Sequence, residues 1–154
     1  MRIVTEKNKE ILIDASDLIL GRMASVIAKR LLKGETIIVI NAEKALMSGS
    51  RRSKVQEAKK KLRITSLGSP KYGPFHQRRP DLILRRTVRG MLPSNRPRGK
   101  EAYKRLKVYI GVPNEYANKS AEALNEASST KLRASVISLG ELAKEIGWKS
   151  TGER

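Results

Sequence analysis

A chain of 154 residues that is 39% apolar holds enough material for one domain with a real core and little for a second. Its formal charge of +18, with a pI near 10.6, works against a compact fold by self-repulsion unless a polyanion lies against it, so nucleic acid is the leading partner. Without Cys there can be no disulfide, thiolate metal site or Cys nucleophile. The opening MRIVTEKNKEILIDAS, broken by charge every few residues, reads as neither signal peptide nor membrane span, and the expectation is a soluble, cytosolic protein.

ILID (11–14) predicts a strand. It runs into ASDLILGRMASVIAKRLLKG, where Leu20, Met23, Ile27 and Leu31 recur at helical spacing and Gly34 stands at the expected stop. TIIVIN (36–41) lacks alternation, as in a strand buried on both faces of a parallel sheet, so these segments read as a βαβ unit. Such units can hold nucleotides. Here the first strand-to-helix connection has only Gly21, and neither GxGxxG nor GxxxxGK[ST] occurs, which argues against dinucleotide or NTP binding.

AEKALMSGS reads as a loop. RRSKVQEAKKKLRI then predicts a surface helix on which Val55, Ala58 and Leu62 form a narrow apolar stripe and Glu57 pairs with Lys61 at i,i+4. Charge segregates from here on: residues 51–107 carry nineteen Lys/Arg against three Asp/Glu, net +16, while 1–50 are net +2 and 108–154 are neutral. Solubility calls for mixed signs, so this imbalance reads as an electrostatic footprint for a polyanion. Arg51, Arg52 and Lys54 open it; Lys59, Lys60 and Lys61 are as easily a solvated face.

SLGSPKYGPFHQRRP suits an extended loop carrying Lys71, Arg78 and Arg79, with Tyr72 and Phe75 among them. These aromatics either stack on unpaired bases or, more plainly, pin the loop to the domain. His76, alone and without a matching nucleophile or ligand set, reads as a surface residue. From Pro80, PDLILRRTVRGML predicts a helix with Leu84, Val88 and Met91 on the core side and Arg85, Arg86 and Arg89 on an arginine side. The planar fork of arginine suits phosphate. PSNRPRGK is read as a stiff loop in which Pro93, Pro97 and Gly99 hold Arg96 and Arg98 outward. Lys100 ends that loop, and Lys104, Arg105 and Lys107 follow in a helical lead to VYIGV (108–112), a buried strand that anchors the presentation.

Residues 114–135 are polar and predict a surface-hugging or partly disordered extension. SVISLGELAKEIGW predicts a closing helix with a Ser138/Glu141 capping box, Leu139, Leu142 and Ile146 on one face, Gly147 at the stop and Trp148 docked on the chain's own core. No basic heptad region, zinc-finger spacing or recognition helix supports a chromatin protein. Glu57, Asp81, Glu101 and His76 lie too scattered to assemble acid–base or metal chemistry, so no catalytic residue, no metal and no cofactor is expected.

The pattern DASDLILGRMAS, IIVINAEKALMSG and RRPDLILRRTVRGMLPSNRPRGKEAYKRLKVYIGVP, in that order from about Ile11 to Pro113, resembles the uL13 family of large-subunit ribosomal proteins (L13, in eukaryotes L13a). That resemblance implies an α/β fold: a three-layer α/β/α sandwich around a small mainly parallel sheet, with basic loops. Residues 1–113 would form the domain and 114–154 a C-terminal extension of the same single domain. It also implies a structural and assembly role, direct binding to large-subunit rRNA beside neighbouring large-subunit ribosomal proteins in the cytoplasm, and no catalysis, membrane or small-molecule substrate. Carried over by motif, the rRNA contacts are Arg85, Arg86 and Arg89, then Arg96, Arg98, Lys100, Lys104, Arg105 and Lys107; Arg51, Arg52, Lys54, Lys71, Arg78 and Arg79 join them from the basic segment. The family's LGR falls on Leu20, Gly21 and Arg22. The runs RRSKVQEAKKKLRI and SPKYGPFHQRRP look like the archaeal and eukaryotic branch, and the short chain favours an archaeal source. A generic nucleic-acid-binding protein, chromatin-like or mRNA-regulatory, is the alternative.

Overall fold

The computed structural model describes residues 10–66, 68–132 and 134–149. β1 (Glu10–Asp14), α1 (Leu20–Lys33) and β2 (Thr36–Ile40) form the expected βαβ unit, the strands paired in parallel with Ile11 opposite Ile37 and Ile13 opposite Val39. α1 buries Leu20, Met23, Ala24, Ile27, Ala28 and Leu31, the stripe that helical periodicity puts on one side. Gly34 ends it with φ of 104°, a left-handed conformation that lets its N–H reach the carbonyls of Arg30 and Leu31.

β4 (Leu106–Val108) adds in parallel to the other side of β2, Leu106 opposite Ile37 and Val108 opposite Val39. This strand begins earlier than VYIGV suggests and stops sooner. Leu106 and Val108 are buried while Lys107 between them is exposed, so the strand alternates instead of running apolar throughout. Its extended run ends where Gly111 turns to positive φ, and Val112 is exposed. Residues 42–50, expected as a loop, contain the 3-10 turn Ala42–Lys44 and β3 (Leu46–Ser48), which pairs antiparallel with β5 (Val136–Ser138) at the far end of the chain. No local pattern marks so short a strand when its partner is so distant.

The remaining helices are α2 (Arg51–Arg63), α3 (Pro80–Met91), α4 (Pro97–Lys104) and α5 (Leu139–Glu145). Ile11, Ile13, Ile37, Val39, Leu106 and Val108 share one face of the sheet, since strand side chains alternate, and pack with α1, Leu84 and Val88 of α3, Ala102 of α4, and Leu139 and Leu142 of α5. α2 joins this core only through half-buried Val55 and Ala58, in keeping with its narrow stripe. On the opposite face Leu12, Ile38 and Ile40 are covered by Tyr116 and Tyr109, their rings 5.8 Å apart. The result is an α/β fold around a mainly parallel sheet, with one thick helical layer and one thin layer of aromatic and turn residues. Met91 does not join the core side of α3: it is 42% exposed, and Leu92, extended as the helix ends, is buried there in its place.

The polar stretch after Asn114 hugs the surface. Glu122 N–H donates to the Leu12 carbonyl (2.8 Å), Ile19 N–H to Ala127 (2.8 Å) and Ser129 N–H to Asp17 (3.1 Å), while Leu124 and Ala127 are buried. Glu122 also accepts a two-pronged pair from Arg30 (2.6 and 2.9 Å). A backbone bridge at Glu122 thus covers part of the otherwise free edge of β1, beside the buried Leu124 and Ala127. α5 starts as expected, the Ser138 hydroxyl accepting from Glu141 N–H (3.2 Å), and Trp148 is half-buried in a cleft with Val108, Tyr109 and Ile110.

Candidate nucleic-acid interface

The cations are presented chiefly by α3, α4 and the corner joining them. α3 opens with Pro80 at its first position, where the missing N–H costs nothing. Asp81 in that first turn is 8% exposed and accepts from Arg79 Nε (3.2 Å) and Nη2 (3.0 Å), so Arg79 is engaged within the protein. Arg85 lays its guanidinium over the Tyr103 ring of α4, 5.2 Å from the centroid, an arrangement that locks the two helices together. Arg86 donates to the Phe75 carbonyl and ties the preceding loop to α3. Arg89, one helical turn beyond Arg85, is exposed.

The corner itself is tight. Arg96 N–H donates to the Pro93 carbonyl (3.0 Å), and the Arg96 carbonyl accepts from Gly99 and Lys100 N–H. Gly99 lies so close to the turn that a Cβ there would stand 2.1 Å from the Pro93 oxygen, so the site admits glycine alone. Pro97 takes the first position of α4, which places Arg98 and Lys100 on a helical turn and not in the stiff loop expected from PSNRPRGK, because the fixed φ of proline suits a helix start. Arg98 and Arg105 turn partly inward: Nη2 of Arg98 donates to the Leu32 carbonyl (3.2 Å) and Nη2 of Arg105 to Leu31 (2.8 Å). Both donate to carbonyls in the last turn of α1, at its negative end, Arg105 sharing the Leu31 carbonyl with Gly34 N–H. Arg96, Lys100 and Lys104 are exposed. Among the described residues no acid pairs with Arg89, Arg96, Lys100 or Lys104. Lys107 stands apart, opposite Ile38 on the thin-layered face of the sheet.

A second cationic surface lies on α2. Arg51 pairs with Glu145 of α5 (2.6 Å), and Lys59 approaches the same carboxylate (3.8 Å). Lys54 and Lys61 flank Glu57 at 3.4 and 2.7 Å; the Lys61 hydrogen bond, then the charges of Lys61 and Lys54, hold the Glu57 carboxyl below the usual carboxylate range. Arg51, Arg52, Lys59, Lys60 and Arg63 line an open groove of about 800 Å³. Sequence reasoning weighed Lys59 and Lys60 evenly between this surface and a solvated face and did not single out Arg63, although Arg52, Lys59 and Arg63 recur at helical spacing.

Lys71, Arg78 and Arg79 all lie in the loop before α3, as expected. The loop's aromatics, however, do not pin it. Tyr72 is 81% and Phe75 64% exposed, and backbone anchorage through Arg86 replaces the apolar anchor. Lys71 Nζ stands 6.0 Å from the Tyr72 ring centroid, and Arg78 lies beside Gly147. His76 is exposed. Among the described residues no group of His, Cys, Asp and Glu is arranged to hold a metal, and no helix is long and apolar enough to cross a membrane.

A sequence model described as ribosomal protein L13 matches residues 8–115, which takes in the βαβ unit, α2, the loop and the α3–α4 corner. Three archaeal proteins, each named large ribosomal subunit protein uL13, are similar along most of their length. The protein of Methanopyrus kandleri is 50% identical over 143 residues, 91% of this chain and 88% of its own. That of Methanococcoides burtonii is 44% identical over 138 residues, 89% and 97% of the two chains. That of Aeropyrum pernix is 41% identical over 151 residues, 95% of each. Identity at this level across sheet, corner and C-terminal segment together leaves one assignment: the chain belongs to the ribosomal protein L13 family.

Proposed function

We propose that the chain is a structural constituent of the large ribosomal subunit in the cytoplasm, that it binds large-subunit rRNA directly, and that it supports assembly by bridging phosphates of separate RNA strands. The observation that carries this reading is the set of exposed cations without acid partners among the described residues, Arg89, Arg96, Lys100 and Lys104, on a corner whose shape Gly99 fixes. Side chains held on a preset backbone lose little entropy on meeting phosphate. No acid occupies the first turn of α4, so the positive end of that helix adds to the same field.

Arg85 and Arg86 border this surface, Arg98 and Arg105 brace it through α1, and Lys71, Arg78 and Arg79 extend it along the loop. Arg51, Arg52 and Lys54 belong to the α2 surface, which with Lys59, Lys60 and Arg63 faces a second strand. Lys107, on the other side of the sheet, meets RNA elsewhere or a neighbouring large-subunit protein. The role is a scaffold's, without substrate turnover.

The test is binding of the purified protein to large-subunit rRNA and to a DNA duplex of matched length and charge, each across a salt series. Arg89→Ala should weaken rRNA binding and flatten the salt slope by about one, as for one lost phosphate contact, whereas Lys144→Ala on α5 should do neither. Equal rRNA and duplex affinities that collapse together with salt would return the generic nucleic-acid-binding alternative.

A further inference from the structure

Two large aromatic side chains stand in solvent within a loop of otherwise basic, Gly- and Pro-rich composition. Tyr72, at the end of the 3-10 turn Pro70–Tyr72, is 81% exposed, and Phe75 is 64% exposed. Neither contributes to the core clusters. Elsewhere the chain buries its rings or wedges them between elements: Tyr116 is buried, Tyr103 lies under Arg85, and Trp148 is half-buried against β4. The loop is therefore the one described segment that holds its rings outward, and it does so on a fixed backbone, since Arg86 of α3 donates to the Phe75 carbonyl.

Charge identifies the occupant. Lys71 Nζ stands 6.0 Å from the Tyr72 ring centroid, Arg86 holds the Phe75 carbonyl, and Arg78 and Arg79 follow in the same loop; the nearest acid in sequence, Asp81, is nearly buried and already bonded to Arg79. A protein partner with an apolar patch would have to neutralise or desolvate these cations, whereas a polyanion with π-faces satisfies both features at once. Bases inside an RNA duplex are already stacked on both sides, and the A-form major groove is too narrow for side chains to enter. Only unpaired nucleotides, in a loop, bulge or single-stranded junction, offer free faces. Three residues of chain span at most about 11 Å, so with a rise of about 3.4 Å per nucleotide the rings can serve nucleotides up to about three steps apart.

We infer that Tyr72 and Phe75 form a stacking site for unpaired RNA bases, with Lys71, Arg78 and Arg86 holding the adjoining phosphates. This rests on the rRNA-binding reading above and deepens it: α3, α4 and α2 grip backbone, while the loop selects a place where bases are splayed out. Stacking energy is insensitive to salt, so it supplies what the phosphate contacts cannot, a preference for one local RNA structure that persists as ionic strength rises.

The experiment uses the full chain and large-subunit rRNA carrying 5-iodouridine, irradiated and mapped by peptide sequencing, together with a salt series for Tyr72→Leu/Phe75→Leu and Tyr72→Trp/Phe75→Trp. Cross-links should fall on Tyr72 or Phe75. The double Leu variant should lose affinity by about 5- to 150-fold per stacked base, with an unchanged salt slope, and the double Trp variant should retain affinity. Both positions are exposed, so circular dichroism should show the fold intact. Wild-type affinity in the double Leu variant, while Arg89→Ala still weakens binding, would overturn stacking and leave the rRNA reading standing. A slope reduced by one or more would also overturn it, because the loss would then lie in phosphate contacts. If the double Leu variant binds rRNA normally but no longer holds a neighbouring ribosomal protein, the rings are a protein-docking site and the inference fails. Should neither the double Leu variant nor Arg89→Ala weaken binding, the rRNA reading itself fails and takes this one with it.

Discussion

Gly99 and Gly90 offer a matched pair of substitutions on consecutive helices. Each is a glycine at a negative φ in the end turn of its helix, so alanine should improve helix propensity at either by up to about 1 kcal/mol. Their surroundings differ. At Gly90 a Cβ would meet nothing within 4 Å; at Gly99 it would stand 2.1 Å from the Pro93 oxygen and 2.5 Å from its carbonyl carbon. Both contacts are backbone, so no side chain can swing away, and relief requires the corner to open by at least about 1.3 Å to bring the Pro93 oxygen to ordinary contact distance. Overpacking of this kind costs about 1–3 kcal/mol, sometimes more. Gly99→Ala should therefore lose about 2 kcal/mol net while Gly90→Ala gains a few tenths or more. For a chain of this size that is a fall of about 4–8 °C in Tm for the first and a small rise for the second. Urea denaturation at fixed pH measures both. Because the same corner carries Arg96 and Lys100, Gly99→Ala should also weaken rRNA binding under conditions where it remains folded. A Gly99→Ala protein as stable as Gly90→Ala would refute the tight corner and the preset cation geometry with it.

Glu145→Gln removes the acid that draws on Arg51 and Lys59; it should tighten rRNA binding several-fold at low salt and steepen the salt slope by up to about two, with under about 1 kcal/mol lost from stability, since the pairs are largely exposed. Unchanged binding in a filter assay would remove α2 from the interface. Asp14→Asn addresses the end of β1. Burial pushes the Asp14 carboxyl up, but the Ser16 N–H, Asn41, the Ser16 hydroxyl and the Lys44 charge outweigh it and hold the group below its ordinary value. A depressed carboxyl stabilises the fold fully above the unfolded value of about 3.9 and loses that contribution as pH falls through the folded value. The variant should therefore be about 1–2 kcal/mol less stable at pH 7, with a narrower gap at a pH below the unfolded value. Denaturation curves at the two pH values with an unchanging gap would contradict the assignment.

Elements with strong local signals were legible in the sequence. α1 could be placed from four apolar residues at helical spacing and a glycine stop, and α5 from its Ser138 cap, because both depend on residues within a turn or two. β3 was not legible: it exists only through a partner near the other end of the chain, and three residues carry too little pattern to announce it. The same limit moved β4, whose apolar run VYIGV gave no sign that Lys107 sits within the strand and that the strand ends at Val108. At the candidate interface, the cationic segment and its arginine helix could be found by counting charge. What charge counting could not reveal was direction. Arg98 and Arg105 spend donors on α1, Arg79 on Asp81 and Arg51 on Glu145, each through a residue distant in sequence or hidden by the fold. Tyr72 and Phe75 went the other way, since composition makes an exposed ring look like an anchor until the burial is known.

The pairing of β3 with β5, and of the β1 edge with residues near Glu122, also sets a timetable. Ser48 leaves the synthesising ribosome long before Val136, its partner, and at about 5–20 residues per second that interval is roughly 5–20 s. Throughout it two strand edges stand open, and all of the basic segment emerges in the meantime. The nascent chain is then least complete while it is most cationic. A polyanion that reaches the basic helices at that stage meets a sheet not yet closed, so release from synthesis, closure of the fold by the C-terminal segment and capture by RNA compete in time.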